Sequence, residues 1–304
     1  MPAEPPAPEL SWNLAHDVAQ VLEYHFMVNA LLGGGAVAVA AALAGWMMLV
    51  RREAFAGHTL GMMAFPGAAA AALAGVAAAW GYLSFCAAGA LAIGALAARG
   101  RAWREETAGI GVVQAFALAL GFLFVSLYGG VLGDLEGLLF GNLLGVSDGQ
   151  VAELAAVALA VALALFAAGR PLLFASVDPH AAGAAGVPVG RLSAGFLLVL
   201  GLAVAATSQV TGPLLVFALL VMPAAAAQAL TTRPLASLAA SVAIALGVVW
   251  VGLGLSYFSV YPPGFYVAAV AFAAYVLARI LAAVRPRLAA RGRGSRPPAV
   301  VEAL

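Results

Sequence analysis

The stretch YHFMVNALLGGGAVAVAAALAGWMMLV, residues 24–50, decides the fold class. It lies between Glu23 and Arg51 and contains no Asp, Glu, Lys or Arg over 27 consecutive residues. About 20 apolar residues, each rising 1.5 Å, are enough to cross the hydrocarbon core of a bilayer as one helix. The stretch therefore predicts a transmembrane helix, whose backbone polar groups are paired within the helix.

The composition of the whole chain agrees with an all-α membrane protein. Of its 304 residues, 64% are hydrophobic and 9% are charged, whereas a soluble domain has about 25% charged residues. A soluble globular protein is therefore excluded. All 14 basic residues are arginine and the net charge is only +1, so we expect no nucleic-acid partner. The single cysteine, Cys86, excludes an internal disulfide and a cysteine-rich metal site.

Intervals without charged residues predict a polytopic bundle of about nine transmembrane helices. Three short intervals hold one helix each, and three intervals of 41 to 45 residues hold two each. Turn-forming and interfacial residues place the breaks inside the long intervals at Trp80-Gly81-Tyr82, at Gln209 to Pro213 and at Tyr257 to Gly264. The predicted spans are 26–50, 55–80, 82–98, 107–127, 151–169, 192–208, 213–230, 235–257 and 264–284.

The distribution of charges predicts the orientation and the divisions of the chain. With nine spans and the N-terminus outside, all 14 arginines fall on the cytoplasmic side, and eight of the 13 acids fall outside. Residues 1–24 are then a disordered or interfacial extracytoplasmic extension, in which 10–24 form a short helix. Residues 25–284 are the transmembrane domain. Residues 285–304 are a basic disordered cytoplasmic tail that lies against the lipids of the inner leaflet.

Glycine and proline mark candidate moving parts. Glycines recur every four residues from Gly129 to Gly145, a pattern typical of a packing helix or of an outer helix that gates a pathway. Pro66, followed by Gly67, in the second span and Pro223 in the seventh each remove a backbone hydrogen bond at membrane depth. We predict helix breaks there that line a transport pathway, with simple kinks as the alternative.

Five stretches, taken together, resemble the membrane permease of the zinc/manganese-type ABC importers. They follow the family's order and spacing between about residues 23 and 280. The stretches are EYHFMVNALLGG (23–34), VRREAFAGHTLGMMAFPGA (50–68), GLLFGNLLGVSDG (137–149), ATSQVTGPLLVFALLVMPAAAA (206–227) and SYFSVYPPG (256–264). The resemblance implies a type II ABC importer-like bundle in the bacterial inner membrane that imports a divalent or transition-metal ion.

The same resemblance implies the partners. They are a second permease copy in a homodimer, cytoplasmic ATP-binding subunits and an extracytoplasmic solute-binding protein. The chain has no GxxxxGK[ST] motif and no lysine, so ATP is expected to bind to a partner chain. We expect a transport subunit that is not an enzyme and holds no cofactor of its own.

The cytoplasmic loop FASVDPHAAGAAGVPVGR, residues 174–191, resembles the family's coupling helix, which docks on the ATPase. Its sequence alone predicts a short helix. Asp178 is a capping residue with Pro179 at the first helical position, followed by His180, and Gly183 or Gly186 can end the helix. An ordinary connecting helix is the alternative.

The substrate site is the part of the chain that departs from the family. The family's second span carries a GDxLSHxxLPG-like pattern, in which Asp and His stand four residues apart on one helix face. Here the stretch is GHTLGMMAFPG, with His58 at the Asp position and Met62 at the His position. Val260 also stands where the family has an acid before the last outer turn. His58 and Met62 predict a softer site, suited to Zn²⁺ or copper more than to Mn²⁺.

Other interpretations stay open at this stage. His58 can be a ligand or a histidine hydrogen-bonded at the cytoplasmic end of its helix, and Met62 can be plain packing. His16, His25, Asp17 and Glu23 are either an outer metal-collecting patch or the wet face of an entry helix. The chain can also be a secondary transporter or channel, although its central spans hold no Asp or Glu, or a permease relative with a non-metal substrate.

Overall fold

The computed structural model describes residues 13–97, 103–128, 141–213 and 215–292, and in these ranges the chain contains eleven α-helices and no β-strand. The helices are α1 (Leu14–Glu23), α2 (His25–Val50), α3 (Ala54–Ala74), α4 (Ala78–Ala97), α5 (Trp103–Tyr128), α6 (Asp148–Val177), α7 (Pro179–Ala184), α8 (Val189–Thr211), α9 (Val216–Leu230), α10 (Pro234–Tyr257) and α11 (Pro263–Gly292).

Seven of these helices are long and apolar enough to cross a membrane. They are α2, α4, α5, α6, α8, α10 and α11. Helix α9 is apolar but has only 15 residues, and α3 has 21 residues interrupted in hydropathy by His58 and Pro66. The all-helical, polytopic architecture predicted from the sequence is therefore confirmed.

Helix α2 is the centre of the bundle. It packs against α6, α8, α9 and α10, and a larger share of its residues is buried than in any other candidate span among the described residues. On one side α3 packs against α4 and α5, and α4 also packs against α8. On the other side α9, α10 and α11 pack against one another. A helix surrounded by protein has no lipid-facing stripe, which explains why α2 is apolar all round.

Small residues let the helices approach closely. A Cβ atom added to Gly45 of α2 would overlap the carbonyl of Leu220 on α9. Gly67 of α3 and Gly81 of α4 face each other, and a Cβ on either would overlap the other's carbonyl. Helices in lipid associate through such van der Waals contact because burial between them removes no apolar surface from water.

The turn between the second and third spans lies elsewhere than the sequence predicted. The predicted break, Trp80-Gly81-Tyr82, is inside α4, and the chain turns at residues 75–77 instead. Gly75 adopts φ 67°, a left-handed conformation that glycine takes without steric cost, and its N–H closes α3 on the carbonyls of Ala71 and Ala72. Gly81 is needed for contact with α3, so its presence signalled close packing and not a turn.

Several other predictions also need correction. Helices α3 and α9 run without a break through Pro66, Gly67 and Pro223. Because only one backbone hydrogen bond is lost at each proline, the neighbouring turns maintain the helix. Helix α6 continues past the predicted end at 169 to Val177, and α11 continues to Gly292, so the first part of the predicted tail is helical. The remaining tail and residues 1–12 lie outside the described residues.

The glycine repeat from 129 to 145 is described only at its end. Gly141 and Gly145 lie in an irregular loop before α6 and not in a helix. Gly141 has φ 71°, and an added Cβ would overlap the backbone of Val210 to Gly212 at the end of α8. The rest of the repeat, including Gly129, lies outside the described residues.

Candidate functional site

The side of α3 that carries His58 packs against the beginning of α9. The ring of His58 meets the ring of Phe217 edge-on, with centroids 5.1 Å apart. Gly61 faces Val216 of α9, and Gly57 lies against the sulfur of Met48 on α2. The two glycines bring α3 close to its neighbours, and this close approach leaves the half-buried imidazole against α9.

His58 keeps one ring nitrogen unused. Its Nδ1 atom is buried and has no hydrogen-bond partner among the described residues. The interpretation of His58 as a hydrogen-bonded structural histidine is therefore not supported at Nδ1. A neutral imidazole nitrogen with a free lone pair is a suitable donor for a borderline metal ion.

The donors near His58 are few. Met62 follows one helical turn later on the same face of α3 and is half-buried. Among the described residues no group of three or more His, Cys, Asp or Glu side chains comes together to hold a metal ion. The pair predicted from the sequence, His58 and Met62, supplies two donors in one copy of the chain, below the four ligands of a closed tetrahedral site.

Pro66 and Gly67 face other helices of the same chain. Pro66 is buried and its Cα atom lies close to Gly121 of α5, while Gly67 contacts Gly81 of α4. Pro223 is buried in α9. A pathway-lining role for these residues stays a prediction, and it would require this packing to open.

The polar side chains on α8 and α9 are mostly used for structure. Thr207 and Thr211 donate to carbonyls one turn earlier in α8, at 2.7 and 3.0 Å. Gln228 donates across to the carbonyl of Trp46 on α2 at 3.3 Å and so forms an interhelical hydrogen bond. The hydroxyl of Ser208 is buried and unpartnered among the described residues.

Helix α7 has the caps that the sequence predicted. The Asp178 carboxylate accepts from the backbone N–H of Ala181 at 2.9 Å, and Pro179 is at the first turn. The helix ends before Gly186, which has φ 80°, whereas Gly183 lies inside the helix. His180 is exposed, and Ala182 is the one residue of α7 that is buried. The segment therefore presents a short, exposed helix between α6 and α8.

Arg51 connects this segment to the turn between α2 and α3. Its guanidinium donates to Glu53 at 2.8 and 3.0 Å, to Ser176 at 3.4 Å and to Ser193 at 2.7 Å. It also lies 5.1 Å from the centre of the Phe196 ring, and its side chain is only 7% exposed. Ser176 precedes α7 and Ser193 follows it, so one buried arginine bonds to residues on both sides of α7.

The opposite ends of α2 and α6 meet in a second polar cluster. Asp148 accepts from Asn29 at 2.6 Å and lies 2.8 Å from His25 Nε2. His25 thus pairs with Asp148, and the predicted metal-collecting patch with Asp17 and Glu23 does not assemble around it. Asp17 is buried at α1, and His16 is exposed.

Sequence comparison now places the chain in a family. The ABC 3 transport family matches residues 23–282, which is most of the chain. The chain belongs to the ABC 3 transport family. This match confirms the resemblance seen in the sequence. The protein is a multi-pass permease of the bacterial inner membrane, a transport component and not an enzyme.

Relatives of this ABC 3 permease include transport proteins of several bacteria. The manganese transport system membrane protein MntC of Halalkalibacterium halodurans is 32% identical over 221 residues, which cover 73% of this chain and 75% of that protein. A probable iron transport system membrane protein of Haemophilus influenzae is 30% identical over 240 residues, which cover 78% and 86% of the two chains.

The fold of the ABC 3 permease is also found in a solved structure. PsaBC from Streptococcus pneumoniae in complex with Fab matches with a TM-score of 0.80 at 24% identity, covering 91% of this chain and 99% of the solved chain. The family assignment implies ATPase and solute-binding partners, and it leaves the secondary transporter or channel without support.

Residue order alone did not reveal the Arg51 and Asp148 clusters. Ser176 and Ser193 are 125 and 142 residues from Arg51, and His25 is 123 residues from Asp148. The sequence shows each charged residue next to an apolar interval. This position marks the end of a span, but it does not show which residue the charged side chain contacts.

Proposed function

We propose that this permease imports a divalent transition-metal ion by alternating access, driven by a separate ATPase. The family match over residues 23–282 carries the proposal, and the names of the manganese and iron relatives support the class of substrate. In alternating access the bundle switches between outward-open and inward-open packings. The chain itself breaks no covalent bond.

The ion should be softer than Mn²⁺. His58 and Met62 offer a nitrogen and a thioether sulfur where the resembling pattern has a carboxylate and an imidazole. This replacement lowers the binding affinity most for hard, oxygen-preferring ions such as Mn²⁺, whereas Zn²⁺ and copper ions accept nitrogen and sulfur ligands. The free Nδ1 atom of His58 supports this assignment.

A homodimer would complete such a site. One copy supplies two donors, and a four-coordinate ion requires two more. A second copy related by a two-fold axis would contribute the same pair, because a symmetric dimer presents identical residues to its axis. This requirement is our argument for two permease copies around a shared pathway.

We also propose nine spans with the N-terminus outside, adding α3 and α9 to the seven longer helices. Helix α3 has 21 residues, about 31 Å at 1.5 Å each. Helix α9 has 15 residues and is extended by the turn from Pro213. Asp148 and Arg170 on α6 are 22 residues apart, about 33 Å, which matches the ~30 Å hydrocarbon core.

Coupling to the ATPase would pass through α7 and Arg51. The exposed α7 supports docking on a cytoplasmic partner, and the Arg51 side chain bonds to residues on both sides of α7. A displacement of α7 would then pull on the α2–α3 turn, which lies a few residues before His58. In this scheme Arg51 is a positioning residue and touches no substrate.

The experiment is reconstitution of the permease with its partner ATPase and solute-binding protein in liposomes. ATP turnover and uptake are measured with Zn²⁺, copper and Mn²⁺. We expect stimulation by Zn²⁺ or copper above that by Mn²⁺. The second candidate is a permease of the same family with a non-metal substrate. It is favoured by the replacement of the family's two acidic residues by His58 and Val260. Absence of stimulation by any metal ion would support this candidate.

A further inference from the structure

An apolar groove opens on the surface of the bundle between α2, α6 and α10. It has a volume of about 750 Å³, and its walls include Leu43, Met47, Leu163, Phe166 and Leu235. Phe166 is 87% exposed and Leu235 is 82% exposed, so no part of this chain that the structure describes covers them. A groove of this size can take a hydrocarbon chain lying along the helices.

The floor of the groove is fixed by internal hydrogen bonds. The indole N–H of Trp46 donates to the Ser237 hydroxyl on α10 at 2.9 Å, and the Trp46 carbonyl accepts from Gln228 on α9. The indole N–H and the carbonyl of Trp46 are therefore both satisfied within the protein. The groove presents carbon atoms, with one exception at its end.

That exception is Arg170, which lines the groove. It lies about 33 Å along α6 from Asp148, and the nine-span orientation proposed above, on which this inference rests, places it at the depth of the inner-leaflet headgroups. Arg233 precedes Pro234, which also lines the groove. Both arginines are exposed, and among the described residues neither side chain has an ion pair or hydrogen bond, in contrast to Arg51.

We propose that this groove binds an anionic phospholipid of the inner leaflet. One acyl chain lies against Phe166 and Leu235, and the headgroup phosphate lies between Arg170 and Arg233. An apolar groove beside two exposed arginines at headgroup depth fits an acyl chain that carries an anionic headgroup. A second copy of the chain fits less well, since Glu53 and Asp178, the cytoplasmic acids whose side chains the structure describes, are engaged by Arg51 and α7.

The bound lipid would act on the same helix that leads to the ATPase. Arg170 lies eight residues before Asp178, on the last part of α6. Occupancy would hold this part of α6 against α2 and α10. The lipid site would exist whatever ion the permease carries, so its test is independent of transport.

Native mass spectrometry of the purified full chain tests the proposal. Phosphatidylglycerol and phosphatidylethanolamine with identical acyl chains are titrated separately, and the affinity of the first bound lipid is measured. The double variant R170Q/R233Q is compared with R191Q/R279Q, which removes two exposed arginines away from the groove. Ala162→Phe fills the groove without changing charge. Circular dichroism and gel filtration establish that each variant is folded.

The double variant R170Q/R233Q should bind phosphatidylglycerol about thirty-fold more weakly, because two attractions to a headgroup of net negative charge are lost. Phosphatidylethanolamine has no net charge, since its ammonium compensates its phosphate, so its binding should weaken much less. The R191Q/R279Q control should stay within about two-fold of the parent, and Ala162→Phe should weaken phosphatidylglycerol binding. Equal phosphatidylglycerol affinity in the two double variants would overturn the proposal. Unchanged binding in Ala162→Phe would overturn it as well. Dissociation of a purified dimer by Ala162→Phe would identify the groove as an interface between copies instead.

Discussion

His58 is an imidazole at a position where the resembling family has a carboxylate. Its contacts are with Phe217 and the close-packed start of α9, and its Nδ1 atom is left without a partner in the described structure. A buried polar atom without a partner costs free energy, about 1–3 kcal/mol. Such a cost is tolerated where the group acts on a ligand.

His58→Ala should lower Zn²⁺ or copper uptake at least ten-fold in the reconstituted transporter, because it removes the only nitrogen donor of the pair. His58→Asp should shift the preference towards Mn²⁺, since a carboxylate is a harder ligand. Uptake with each ion, normalised to the amount of permease, measures both effects. His16→Ala, an exposed histidine on α1, is the matched control. Uptake of all ions unchanged by His58→Ala would remove His58 from the site.

Arg51 is the second residue whose role can be separated from simple stability. Arg51→Lys keeps the charge but loses the planar fork that contacts Glu53 and Ser193 together. We expect uptake to fall roughly ten-fold while basal ATP turnover of the assembled complex is retained. Arg52→Lys, at the neighbouring exposed position, should change neither quantity. Equal loss of uptake and basal turnover in Arg51→Lys would indicate a purely structural arginine.

Residue roles were only partly predictable. Asp178 and Pro179 were identified because capping depends on neighbours in sequence, which order alone reveals. The Arg51 network was missed because Ser176 and Ser193 reach it from 125 and 142 residues away. His25 was grouped with its sequence neighbours, whereas its partner Asp148 lies on another helix.

The positions of charged residues predicted the locations of the helices better than the turn-forming residues did. Intervals free of charge located every long helix, because a charged side chain is costly inside a bilayer. Gly81 and Pro66 were taken as breaks, yet both lie inside continuous helices. Their role depends on which helix packs against them, and a single sequence does not record that. The turn at Gly75 had no polar residue to mark it.

The contact between α3 and α4 gives a prediction at this scale. Gly81→Ala should lower the apparent melting temperature in detergent, because the added Cβ overlaps the Gly67 carbonyl and the backbones must separate, at about 1–3 kcal/mol or more. Gly247→Ala in α10 is the control, since no atom lies within 4 Å of its added Cβ. Thermal unfolding followed by gel filtration compares the two. Equal melting temperatures would mean that α3 and α4 do not pack through this contact.

The number of spans in the molecule depends on two of its helices. Seven helices meet the length and hydropathy of a span, and α3 and α9 decide the rest. Each of these two helices controls the side of the membrane on which the following segments lie. Omitting α3 alone would invert everything from α4 onward, and omitting α9 alone would invert only α10 and α11. The topology can therefore be tested one helix at a time.

Single-cysteine labelling makes that test, starting from Cys86→Ala, because Cys86 is the sole cysteine. Gly149→Cys at the start of α6, His180→Cys on α7 and Val260→Cys before α11 are all at exposed positions. With nine spans and an outside N-terminus, a membrane-impermeant maleimide should label 149 and 260 in intact spheroplasts, and 180 only after permeabilisation. If α3 does not cross, 180 is labelled and 149 is protected. If α9 alone does not cross, 260 becomes protected while 149 stays accessible.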